Sequence, residues 1–190
     1  MGDKYPNFGT LSKHAVPGRD YRIILERTGT DRVAIIAPHG GSIERRTSEI
    51  TRAIAADHYP YYLFEGLDPD GSFDELHITS HRFDEPQCLE FVESIDTVIA
   101  IHGCNGDEKQ VLLGGLHAEL KESIAYFLRE AGVATDVETH KFQGKHRSNI
   151  CNRGRLGAGV QIEFSDALRG AAEEASAVDA IRKALSQAVA

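Results

Sequence analysis

The stretch Val33-Ala34-Ile35-Ile36-Ala37-Pro38-His39-Gly40-Gly41-Ser42-Ile43-Glu44 decides how this chain folds. Its first five residues are apolar without alternation, the pattern of a strand covered on both faces. Two glycines follow, and then Ile43, Ile50, Ala53 and Ile54 recur at helical spacing, with Arg45, Arg46, Glu49, Arg52 and Asp57 on the other face. The stretch reads as a strand, a tight turn and a helix start, with an imidazole and a carboxylate on the turn. A second apolar run, residues 97–101, ends the same way, on His102-Gly103. Sites in open α/β sheets gather at the carboxyl ends of strands, so His39 and His102 are expected to be neighbours. With Glu44 they form a His, Glu, His donor set, which suits a divalent zinc with one position left open.

Each of these residues also has an ordinary explanation when taken alone. His39 could be a turn histidine satisfied by backbone, and His102 a buried histidine with one hydrogen bond. Glu44, behind Ser42 as N-cap, would sit in a first helical turn, where a carboxylate favours the dipole. Matched strand ends, and glycines that let backbone approach a ligand, favour the metal reading when the three are taken together.

Outward from this centre, residues 21–27 read as a strand and Thr28-Gly29-Thr30-Asp31 as a turn. A hairpin into residues 33–37 is therefore expected, and with it a mixed sheet. Residues 1–20 are polar and turn-rich, an arm or cover. Residues 61–64 are β-rich behind Pro60, 76–85 have strand character up to Pro86, and 86–95 suit a short helix. Residues 111–115 form a further apolar segment. A strongly helical pattern over 117–131 ends at Gly132, 133–139 and 159–165 alternate as strands, and an Ala-rich helix closes the chain over 172–189. Strands alternating with helices predict a three-layer α/β/α fold in a single catalytic domain, residues 1–190.

Composition narrows the function classes. The chain has 29 acidic against 21 basic side chains, which argues against nucleic acid as a partner. No stretch reaches membrane-spanning length and no signal peptide pattern opens the chain. A cytoplasmic protein is expected, or one released by lysis. Cys88, Cys104 and Cys151 form no Cys-x-x-Cys pair, and no nucleophile elbow supports cysteine or serine catalysis. Against the acidic background, residues 139–162 hold no acid at all but carry Lys141, Lys145, Arg147, Arg153 and Arg155. A basic loop beside a metal site points to an anionic substrate, with Arg gripping carboxylate bidentately. Arg153 and Arg155, among glycines and Asn152, look placed for ligand contact. His77 and His81 either line the site or lie on a surface. Glu163, opposite Val160, Ile162 and Phe164 on its strand, is either a solvated carboxylate or a general base, and its pattern alone favours the former.

The segments Asp20-Tyr21-Arg22-Ile23, Ala37 to Glu44, Leu76-His77-Ile78-Thr79-Ser80, Phe83-Asp84-Glu85-Pro86, Ile101-His102-Gly103 and Gly159-Val160-Gln161-Ile162-Glu163 carry a resemblance. In one order along nearly the whole chain, they resemble the phage and Bacillus poly-γ-glutamate hydrolases. That resemblance implies a trimmed zinc-carboxypeptidase-like fold and cleavage of γ-glutamyl amide bonds. It implies Zn2+ held by His39, Glu44 and His102, Glu163 as acid/base, and Arg153 beside Asn152 as the Asn-Arg pair that grips substrate carboxylate. Arg155, Arg147 and His81 would complete the substrate-binding set. Carboxypeptidases usually space the first ligands as His-x-x-Glu; the longer spacing here favours the hydrolase subfamily. Two rivals stay open, an N-acyl amino acid deacylase and a non-catalytic protein that binds anions at the His-Gly-Gly turn.

Overall fold

Strand identity follows the apolar runs closely. The computed structural model describes residues 3–189. In order they form α1 (Phe8–Leu11), β1 (Tyr21–Glu26), β2 (Val33–Gly41), α2 (Thr47–Ala55), β3 (Tyr61–Gly66), α3 (Ser72–Leu76) and α4 (Pro86–Glu93). There follow β4 (Thr97–Cys104), β5 (Gln110–Gly114), α5 (Ala118–Glu130), β6 (Ala134–Asp136), a 3-10 turn (Ile150–Arg153), β7 (Val160–Ser165) and α6 (Glu173–Val189). The seven strands make one sheet in the order β1-β3-β2-β4-β7-β5-β6. Pairing is antiparallel for β1 with β3 and β5 with β7, and parallel elsewhere, so the sheet is mixed.

The unalternating runs are explained by burial on both faces. Val33, Ile35, Ile99, Ile101, Val160 and Ile162 pack against Ile50 and Ile54 of α2, Ile124 and Leu128 of α5, and Ile181 and Leu185 of α6. Their neighbours Ala34, Ile36, Val98 and Ala100 join Leu11 of the arm, Ile78, Phe83 and Phe91 on the other face. Each such Val, Ile, Leu or Phe side chain, removed from water, contributes about 1.5–3 kcal/mol. The result is the expected three-layer α/β/α arrangement. No helix among the described residues is long and apolar enough to cross a membrane.

Four expectations change. There is no hairpin: β1 pairs with β3, which lies between it and β2. Residues 77–85 form no strand; they cross the strand ends as a coil, buried in part, with the Thr79 N–H given to Asp3 and the Arg82 N–H to Thr79 O rather than to a sheet edge. The last helical-side strand is short, Ala134–Asp136 only. Finally, α2 begins at Thr47 and not behind Ser42, whose hydroxyl is engaged with Gly66, Asp68 and Ser72 instead.

The decisive local feature is in β2. Its pairing with β4 stops at Ile36↔Ala100, and its register against β3 shifts between Ala37 and Gly40. Pro38, which has no N–H for a ladder, sits inside that irregularity. The carboxyl ends of β2 and β4 thus part, and side chains enter the gap between them.

Candidate metal centre

His39 and His102 reach into this gap from the two strands, and Glu44 comes from the turn after β2. Glu44 N–H donates to His39 O over 3.0 Å, and the Thr47 hydroxyl bonds both His39 O and Glu44 O. Arg46, with φ 77°, makes the left-handed step into α2. Glu44 is therefore held outside the helix, and the dipole explanation of it falls. Its Oε2 accepts the Gly103 N–H at 2.8 Å, which ties the turn to β4.

The three functional groups are buried and close. His39 Nδ1 lies 3.0 Å from Glu44 Oε1 and 3.1 Å from His102 Nδ1, and His102 Nδ1 lies 3.5 Å from Glu44 Oε2. The far nitrogens are anchored. His39 Nε2 donates to the carbonyl of Ile78 over 2.8 Å, and His102 Nε2 is 3.3 Å from Ser80 Oγ. A carbonyl only accepts, so the neutral His39 ring carries its proton on Nε2 and turns a lone pair toward Glu44 and His102. Two imidazole nitrogens and a carboxylate converging at such distances need a proton or a cation between them. Burial opposes charge on Glu44, yet His39 and His102 hold its carboxyl far below the usual range.

The donor set fits a metal ion. Arms of about 2.0–2.1 Å in tetrahedral array place neighbouring ligand atoms about 3.3–3.4 Å apart. The observed 3.0–3.5 Å separations lie around that value, with His39 facing Oε1 and His102 facing Oε2 of the Glu44 carboxylate. Anchoring of each imidazole through its other nitrogen is what a ligating histidine requires.

Glu163 is the register partner of His102 on the adjoining strand β7. Side chains of such partners share a face about 5 Å apart. Glu163 is 4% exposed, so it is not the solvated carboxylate its alternation favoured. Burial pushes it up to about 7, with His102 opposing the rise and the charge of Glu44 adding to it. Its Oε1 accepts the Gln161 Nε2–H at 2.9 Å, and Gln161 Oε1 accepts from Asn149 Nδ2 at 2.7 Å. The amide of Gln161 is thereby fixed in orientation. Its period-two spacing from Glu163 was the only sequence sign of this role.

The basic loop divides in two. Its first part lies against the segment that reaches the centre: Ser80 touches His102, the Ser148 hydroxyl donates to His81 O, and the His81 and His146 rings lie 5.3 Å apart. Arg147 is exposed and makes no ion pair among the described residues. Beyond Ile150 the chain runs along β4 toward its opposite end. Arg155 N–H donates to Ile95 O, and its guanidinium pairs with Asp96 and Asp31, while Arg153 pairs with Glu93. That end is about 16 Å from His102 at strand rise. Arg153 and Arg155 are not brought to the centre, because acidic partners before β2 and β4 capture them. Asn152 is engaged elsewhere too. Its Oδ1 accepts from Leu116 and Gly159 N–H groups and its Nδ2 donates to Gly144 and His146 carbonyls, so it latches the loop and has nothing left for a ligand. The cysteines take no part: burial raises all three, Cys104 to about 11.

The family model for poly-gamma-glutamate hydrolase matches residues 5–185 of this chain. The chain belongs to the poly-gamma-glutamate hydrolase family. Among Bacillus subtilis (strain 168) proteins, the SPbeta prophage-derived YoqZ is 41% identical over 166 residues, covering 86% of this chain and 59% of YoqZ. YndL is 36% identical over 170 residues, covering 88% of this chain and 66% of YndL. The chain thus spans about two thirds or less of these relatives. The structure of a bacteriophage poly-gamma-glutamate hydrolase aligns with TM-score 0.93 at 32% identity over 98% of both chains. A zinc-free structure of YndL aligns with TM-score 0.91 at 30% identity over 99% of this chain and 100% of that one. The N-formylglutamate amidohydrolase of Ralstonia eutropha JMP134, at TM-score 0.55 and 9% identity, shares the fold alone.

Proposed function

We propose that this chain acts as a single catalytic domain, a zinc-dependent hydrolase of γ-glutamyl amide bonds in poly-γ-glutamate. The observation that carries the reading is the convergence of His39 Nδ1 on Glu44 Oε1, of His102 Nδ1 on Glu44 Oε2 and of the two imidazole nitrogens on each other, all within 3.0–3.5 Å, with both far ring nitrogens anchored. Family membership and the likeness to the phage hydrolase support the substrate class. The zinc-free form of YndL supports the choice of metal.

A zinc ion held by these three residues would supply Lewis acidity, polarising the scissile carbonyl and making water nucleophilic near neutral pH. Glu163 takes the proton from the attacking water. The water oxygen bonds to the carbonyl carbon, and the carbon–nitrogen bond then breaks, with its electron pair left on nitrogen. Glu163 returns the proton to that nitrogen, giving an amine and a carboxylic acid, and the acid then passes its remaining proton to the amine to leave carboxylate and ammonium. Gln161, held by Asn149, keeps the Glu163 carboxylate aimed. Every γ-linked unit carries a free α-carboxylate, so the polymer is a polyanion. Arg147, exposed and without an ion pair among the described residues, supplies complementary positive charge, and the neighbouring His81 and His146 add hydrogen-bonding groups.

Metal content by elemental analysis, followed by incubation with poly-γ-glutamate with and without chelator, tests the reading. Stoichiometric zinc and chelator-sensitive shortening of the polymer are expected. Shortening that persists in metal-free protein would overturn the metal role, and zinc-loaded protein that leaves the polymer intact would overturn the substrate.

A further inference from the structure

A third imidazole stands at the same centre. His77 follows α3 and lies between two rings, its centroid 4.2 Å from that of His39 and 4.7 Å from that of Phe73. Asp3, in the amino-terminal arm, anchors it. One oxygen of Asp3 accepts the Thr79 N–H at 3.0 Å and the other accepts His77 Nδ1–H at 2.8 Å. The proton of the neutral ring is therefore on Nδ1, and Nε2 turns a lone pair inward. That Nε2 lies 3.8 Å from Glu44 Oε1, itself an acceptor, and no hydrogen-bond donor reaches it among the described residues. Ligand atoms of His39, Glu44 and His77 all lie within 4.8 Å of one another.

The three imidazoles share one construction. His39 is anchored by Ile78 O, His102 contacts Ser80 Oγ, and His77 is anchored by Asp3, each through one nitrogen, with the other facing Glu44. A carboxylate behind a ring nitrogen is a common support for a metal-ligating histidine. We infer that His77 Nε2 is a fourth, displaceable donor to the metal, held in place by Asp3. This rests on the metal reading above. At 3.8 Å its spacing exceeds the 3.0–3.5 Å among the other donors, so it would be the most weakly held of the four. The arm then becomes part of the centre and not merely a cover.

The test is cobalt(II) titration of metal-free protein, read by visible absorption, which responds to coordination number, with zinc affinity measured by competition against a chelating dye. His77→Ala is expected to weaken binding of both ions by at least ~10-fold and to change the intensity of the cobalt bands. Asp3→Ala, which keeps the imidazole, is expected to move both readouts the same way by less, and it serves if His77→Ala fails to fold. Affinities and cobalt spectra equal to wild type in the folded variants would overturn the inference and leave the three-donor site standing. A wild-type protein that takes up neither ion would overturn the metal reading and this one with it.

Discussion

At the scale of one residue, the proposed reaction turns on Glu163. It is buried, aimed by Gln161 and set beside His102. Glu163→Gln keeps the shape and the metal donors, so it is expected to bind zinc as wild type does while hydrolysis falls by ~10²–10⁴-fold. Elemental analysis and a chain-length assay on the same sample check this, and a variant working at the wild-type rate would remove Glu163 from the base role. Its protonation also predicts a pH effect in chelated protein. The folded value of about 7 lies above the ordinary 4.5, so the folded chain holds the proton more tightly. The stability tied to that proton is complete below about pH 4.5 and is lost as pH rises through about 7. Urea midpoints of metal-free wild type should fall over that window relative to Glu163→Gln; parallel curves would contradict it. His39→Ala, by contrast, is expected to lose stoichiometric zinc, measured by elemental analysis, since the variant keeps only two of the three close donors, with His77 farther off.

At the scale of elements, the end of β2 and the latch of the basic loop do the positioning. Gly41 has φ 63°, and a Cβ there would run into the backbone of Gly66 on β3. Gly41→Ala is expected to destabilise the protein by about 1–3 kcal/mol, measured by denaturant unfolding. Asn152→Ala strips partners from two N–H groups and two carbonyls. A loss of about 2–4 kcal/mol is expected, together with a loosened loop seen as faster amide exchange at Leu116 and Gly159. At this scale the sequence was partly legible. Residues 97–101, 117–131 and 159–165 folded as their patterns require, because each pattern reports local burial. Residues 76–85 misled, since Leu76 ends α3 while Ile78 and Phe83 are buried along a crossing coil and not by strand pairing. Arg153 and Arg155 misled for a related reason. Their neighbours in sequence are glycines and Asn152, while their partners Glu93, Asp96 and Asp31 come from distant segments.

Over the whole molecule, a metal ion held by His39 of β2, Glu44 of the following turn and His102 of β4 would couple binding to folding. An ion present at about a thousandfold above its Kd adds about 4 kcal/mol to stability, and chelation removes it. The thermal midpoint is therefore expected to drop by several degrees on chelation and to recover on zinc addition. A midpoint indifferent to both would contradict a site made by separate elements. The sequence by itself determined the alternation of strands and helices, the double burial of the central strands, and the two histidines at strand ends, because these are written in local periodicity and in glycine placement. Only the tertiary structure decided that Glu44 leaves its helix to face them, that Glu163 is buried beside His102, and that Asn152, Arg153 and Arg155 belong to the scaffold. Those outcomes depend on strand order and on a break in β2 pairing, which bring together side chains up to 124 residues apart and which no single stretch of the chain encodes.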